Sequence, residues 1–201
     1  MHLLYQTEAH LWVFTCGFMV MEYSLHTVEA LSKSGIDYML TGSLVSSMQG
    51  EPRATHDIDF IVIASVNSIE SFLTFFSLDE YYYDFDAAQV AIDTGGMFNI
   101  LSDTGDKVDI WALTDSEFDQ SRFFRKQEIE LLGYRVYVSS PEDTILVKLF
   151  WSKQSGGSEK QLFDAAKVFG MQQGILDMEY FERWIQKLSL EDQFAAMQRF
   201  Q

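Results

Sequence analysis

The sequence predicts an α+β chain, with interleaved strands and helices to about Ser139 and a helical part from there to Gln201. Two observations carry this prediction. β-branched and aromatic runs such as "DIDFIVIA" alternate with helix-like runs through the first two thirds of the chain, and the pattern turns helical at "SSPEDTILVKLFW". The 201 residues are 47% hydrophobic and 15% aromatic, enough for one sizeable core. No internal repeat or low-complexity linker separates the two parts.

Over residues 23–34, Leu25, Val28, Ala30 and Leu31 recur near helical spacing, and Gly35 is a natural stop. "IDYML" then reads as a buried strand, Gly42 and Ser43 break it, and "LVSSMQG" reads as a short helix. "DIDFIVIA" is the strongest strand signal in the chain. "NSIESFLTFFS" and "DAAQVAID" read as helices. "GMFNILSDTGDKVDIWAL" reads as a hairpin about "SDTGD", and "QEIELLGYRVYV" as a second strand pair about Gly133. Ser140 caps the next helix, Pro141 suits its first position, and Glu142 and Asp143 set negative charge on its amide-rich start. "SGGS" and "GILD" interrupt the remaining helices, and Asp177 caps "MEYFERWIQKLS".

Residues 1–22 form an N-terminal extension of open status, ahead of a core at 23–139 and a helical region at 140–201 packed on it. The run "LWVFTCGFMVM" reads either as a buried segment or as sequence upstream of a start at Met19 or Met21. It is too short to span a bilayer and lacks the flanks of a signal peptide. A lone cysteine, Cys16, precludes an internal disulfide and fits a reducing cytoplasm. The formal charge of -16 repels phosphate backbones, which disfavours general nucleic-acid binding. A membrane is not expected as a partner either.

Two aspartates in "DIDF" raise the chemical question. On a strand, Asp57 and Asp59 share one face while Ile58 and Phe60 take the other. Adjacent unneutralised carboxylates repel, so something positive is expected beside them. Hard oxygen ligands at this density suit Mg²⁺ or Mn²⁺. Gly42 and Ser43, between a strand and a helix, offer free amides and a hydroxyl to phosphate oxygens. Asp109, amid Val108 and Ile110 in "KVDIW", is a third carboxylate that needs a partner.

Gly-Ser, a gap of thirteen residues, Asp-Ile-Asp-Phe and a later strand aspartate together resemble the DNA-polymerase-β-like nucleotidyltransferase superfamily. "RATHDIDF", "SPEDTILVKL" and "SEKQLFDAAKVF" are similar to its AbiEii-type branch, known from abortive-infection and toxin–antitoxin systems. The resemblance implies a nucleotidyltransferase fold, a small mixed sheet flanked by helices. It also implies transfer of a nucleoside monophosphate from an NTP to a hydroxyl acceptor, with a cognate partner protein as a further expectation. By that resemblance Asp57 and Asp59 bind the metal that carries the triphosphate. Asp109 joins a second metal or serves as base, and Gly42 and Ser43 hold the β- and γ-phosphates.

Other residues carry two readings each. Arg53 suits a phosphate or a structural ion pair. Lys148, within apolar "ILVKLF", reads as a triphosphate contact or as a side chain snorkelling to solvent. Asp164 orients Lys148, contacts the acceptor, or sits on a solvated face. His56 reads as polar loop in preference to a ligand, the aromatics of "SFLTFF" and "YYYDF" as core or lip, and Asp103, Gly105 and Asp106 as hairpin chemistry.

Overall fold

A computed structural model describes residues 18–200 of the chain. Most of the N-terminal extension, including Cys16 and the start of the apolar run, lies outside the described residues. The chain divides into two compact units, one taking in the chain to Leu44 with Arg53–Val138, the other Val45–Pro52 with Ser139–Gln201.

In the first unit, helix α1 (Phe18–Lys33) begins earlier than its amphipathic core suggests, because Val20 and Met21 are themselves buried. It ends as expected at Gly35, whose φ of +66° lets the Ile36 amide donate back to the Leu31 carbonyl at 3.0 Å. Strand β1 (Asp37–Thr41) follows, and helix α2 (Gly42–Gln49) starts directly on it; the boundary between the units falls inside this helix. Strand β2 (Asp57–Ile63) carries the two aspartates, and helix α3 (Val66–Leu73) follows with a capping box between Ser65 and Ser68. A two-residue strand β3 (Tyr81–Tyr82) and helix α4 (Phe85–Thr94) precede the hairpin of β4 (Met97–Ser102) and β5 (Lys107–Ala112). Helix α5 (Glu117–Phe124) and a second hairpin, β6 (Gln127–Leu131) and β7 (Tyr134–Val138), complete the unit.

The strands form one seven-stranded mixed sheet in the order β3-β4-β5-β2-β1-β7-β6. β2 runs parallel to β5 and antiparallel to β1, which is parallel to β7. Central strands carry the core: Ile58, Phe60, Val108, Ile110 and Ile100 are buried, each worth about 1.5–3 kcal/mol of apolar burial. Met39, Ile61 and Phe123 form a further cluster with Trp111 and Leu113 against it. Both hairpins match the sequence reading, but β3 and α5 were not legible in it.

The second unit is helical beyond Ser139: α6 (Pro141–Gln154), α7 (Glu159–Gln172), α8 (Met178–Lys187) and α9 (Glu191–Met197). Ser140 and Asp177 cap α6 and α8 as the sequence indicates, accepting from the amides of Asp143 and Tyr180. The Asp143 carboxylate is fully buried and satisfied, accepting from Ser140 Oγ and Tyr180 Oη at 2.7 Å each. Among the described residues no helix is long and apolar enough to cross a membrane.

Candidate active site

The parallel register of β2 and β5 sets the geometry. Asp59 lies opposite Asp109 and Asp57 opposite Lys107, so four charged side chains share one sheet face while Ile58, Phe60, Val108 and Ile110 fill the other. Asp57 is exposed, Asp59 half-buried and Asp109 buried. Thus all three sequence-assigned carboxylates stand on the same face of two neighbouring strands.

Gly42 comes next to them through the antiparallel pairing of β1 with β2, which sets Thr41 opposite Asp59. Its φ is +74°, and a Cβ built there would lie 2.6 Å from Asp59 Cγ. Only a glycine lets the β1–α2 turn press against the Asp59 carboxylate. Ser43, the next residue, accepts a hydrogen bond through Oγ from Arg53 Nη2 at 3.1 Å. Arg53 thus reaches the turn, and turn, hydroxyl and guanidinium form one polar edge beside the carboxylates.

Lys107 is the site residue that the sequence reading missed. Its Nζ lies 2.8 Å from Asp109 Oδ2 and 3.4 Å from Asp57 Oδ1. The hydrogen bond to Asp109, against some burial, and the charges of Asp109 and Asp57 hold the ammonium's pKa above its ordinary value. The signal was in "KVDIW": two residues from Asp109 on a strand means the same face. Lys107 supplies positive charge where a metal was expected.

Among the described residues, no three His, Cys, Asp or Glu side chains are gathered into a ready-made metal cage. The residues nevertheless fit a divalent ion in donor chemistry. All three are hard carboxylates, and Asp109 Oδ1 is buried with no hydrogen-bond partner, an arrangement that costs free energy unless a cation or donor meets it.

Asp106, one residue before Lys107, accepts from His56 Nδ1 at 3.2 Å and from Thr104 Oγ1 at 3.3 Å. His56 thus serves the hairpin turn, as does Gly105 at φ +91°. Asp106 also borders a cavity of about 320 Å³ lined by Glu22, Glu80 and Asp103 with Tyr23, Tyr81 and His26. Tyr23 and Tyr81 stack within this wall.

A family model for "Nucleotidyl transferase of unknown function (DUF2204)" matches residues 21–201. The chain belongs to this nucleotidyl transferase family. No curated protein matches it in sequence. Among solved structures, an antigenic nucleotidyltransferase-like protein from Paracoccidioides brasiliensis is similar at 15% identity, covering 92% of this chain and 94% of that one, with a TM-score of 0.54. The lincosamide antibiotic adenylyltransferase LnuA, bound to lincomycin, is similar at 13% identity over 75% and 97%, with a TM-score of 0.52. The antibiotic-resistance factor ANT(2'')-Ia is similar at 11% identity over 89% and 95%, with a TM-score of 0.51. At these identities the likeness establishes the nucleotidyltransferase fold, in agreement with the mixed sheet and its flanking helices.

Lys148 and Asp164 form an ion pair within the helical unit, with Nζ 2.9 Å from Asp164 Oδ2 and both side chains about 5% exposed. Lys148 does not snorkel to solvent, and Asp164 is not on a solvated face. Asp164 is paired with Lys148.

Proposed function

We propose that the chain is a divalent-cation-dependent nucleotidyltransferase that moves a nucleoside monophosphate from an NTP to a hydroxyl acceptor with release of pyrophosphate. The observation that carries this reading is the register that sets Asp59 beside Asp109, with the glycine turn of Gly42 pressed on Asp59. Asp57, Asp59 and Asp109 would hold Mg²⁺ or Mn²⁺, whose charge would offset that of the phosphate oxygens. The α2 start at Gly42 and Ser43 and the Arg53 guanidinium receive the triphosphate, the first through backbone amides and the second as a bidentate donor. Asp109 accepts the hydroxyl proton of the acceptor as its oxygen bonds to the α-phosphorus. The bond to the bridging oxygen breaks, and pyrophosphate leaves with the electron pair. No side chain becomes covalently modified, so positioning and charge do the chemistry.

The net charge of -16 favours a cationic small molecule or a protein hydroxyl as acceptor over a nucleic acid. The resemblance of its motifs to the AbiEii-type branch supports a cytoplasmic toxin–antitoxin setting with a cognate partner as part of this proposal. A second reading, a nucleotide- or partner-binding module without turnover, is favoured by one observation: Lys107 already neutralises part of the triad.

The two readings separate on incubation with Mg²⁺, cell lysate and NTP labelled at either the α- or the γ-phosphorus. Transfer predicts acceptor labelling from the α-label alone, and none with Asp57→Ala. Nucleotide binding without labelling selects the module, and equal labelling by both proteins removes the enzymatic reading.

A further inference from the structure

We propose that Lys107 is a built-in counter-cation for the triad, which holds Asp57 and Asp109 in place before any divalent ion arrives and competes with that ion for the same oxygens. The inference rests on the metal-dependent reading above.

The register brings the Lys107 charge onto the face that carries the three carboxylates. Asp59 stands opposite Asp109, and like charges directly across a strand pair are destabilising. Asp57 follows on the same face, two residues before Asp59. Lys107 occupies the fourth position of this two-by-two patch and reaches both Asp57 and Asp109 with one ammonium. Its other acidic neighbour in sequence, Asp106, is already engaged by His56 and Thr104. The Lys107 charge is therefore directed to the triad.

Two features make this a removable neutraliser rather than a permanent bridge. Lysine is a point charge on a flexible stem that can withdraw to solvent, and the Lys107 side chain is 32% exposed. Its hydrogen bond also satisfies only Oδ2 of Asp109, and Oδ1 is buried without a partner. A single ammonium leaves ligand capacity on that carboxylate, which a divalent ion would use more fully.

The test is titration of Mn²⁺ into nucleotide-free protein, read by the loss of the free-ion paramagnetic signal, for wild type, Lys107→Met and Lys107→Arg. Thermal unfolding of each in chelator and in Mn²⁺ is measured in parallel. Lys107→Met should bind Mn²⁺ about tenfold more tightly, because a competing cation has gone. It should also unfold at a lower temperature than wild type in chelator and recover more of its stability when Mn²⁺ is added. Lys107→Arg keeps the charge and should track wild type in chelator. If Lys107→Met does not fold without the ion, Lys107→Gln carries the same comparison. Equal or weaker Mn²⁺ binding by the neutral variants overturns the counter-cation role while leaving the metal-dependent reading intact. Absence of Mn²⁺ binding by every protein overturns both.

Discussion

Gly42 shows how one residue joins backbone conformation to chemistry. Its left-handed φ alone would cost an L-residue about 1–2 kcal/mol, and a side chain there would also collide with Asp59. Gly42→Ala is therefore expected to lower the melting temperature and reduce α-label transfer about a hundredfold or more, since the alanine displaces a carboxylate of the site. Transfer at the wild-type level with unchanged melting would show that the turn does not support Asp59. Arg53 offers a milder case. Arg53→Ala should weaken nucleotide binding, because it removes a guanidinium held beside the Ser43 turn at a partly exposed edge; equilibrium nucleotide titration measures this. Asp57, Asp59, Asp109 and Gly42 were legible in the sequence because alternation on a strand and the steric permissiveness of glycine are local rules. Lys107 was legible by the same alternation, but it reads as an ordinary strand-edge cation until the register of β2 against β5 places it opposite Asp57.

At the scale of elements, legibility followed how much each segment's own pattern decides its structure. β2, both hairpins and the capped start of α6 carry strong periodicity, turn residues or caps, and each formed where the sequence indicates. β3 has only two residues, held by pairing to Leu101 and Ser102, and such a strand exists through its partner rather than its composition. Helix α5 is polar on most sides and buries Phe123 alone among its residues, so its apolar stripe is too thin to read. Its stability comes instead from its first turn: Ser116 caps it, and Asp119 accepts from Thr114 and pairs with Arg122 at 2.7 Å. Burial pushes the Asp119 carboxyl up, but Arg122 and the hydrogen bonds from Thr114, Arg122 and Ser116 outweigh it and hold its pKa below the ordinary 3.8. A depressed carboxylate stabilises the fold above that value and loses its contribution as pH falls through its lowered pKa. Asp119→Asn should therefore melt lower than wild type at pH 7, with the gap closing as pH falls below 3.8; a gap independent of pH would contradict the assignment. Between α6 and α7, the Lys148–Asp164 pair is buried, so Lys148→Met should cost about 3–5 kcal/mol in chemical denaturation by removing the cation paired with a buried carboxylate. The double variant Lys148→Met with Asp164→Leu should recover much of that loss.

At the scale of the whole molecule, composition alone was informative about partners. The charge of -16 predicts no retention of DNA or RNA in a mobility-shift assay at physiological salt, and tight polynucleotide binding would contradict the preference for other acceptors. Composition says nothing about where three aspartates meet; that follows from a sheet order in which β5 inserts beside β2 although nearly fifty residues separate Asp59 from its partner Asp109. The family match over residues 21–201 and the nucleotidyltransferase fold agree with a reading that began at those aspartates. The central claim is that this carboxylate face takes up a divalent ion together with a nucleoside triphosphate. The most direct measurement is water-proton relaxation of Mn²⁺ as wild type and Asp59→Asn, each confirmed folded, are titrated in with ATP present. The account predicts enhanced relaxation with wild type and little or none with Asp59→Asn; no enhancement with wild type, or equal enhancement with both, would contradict it.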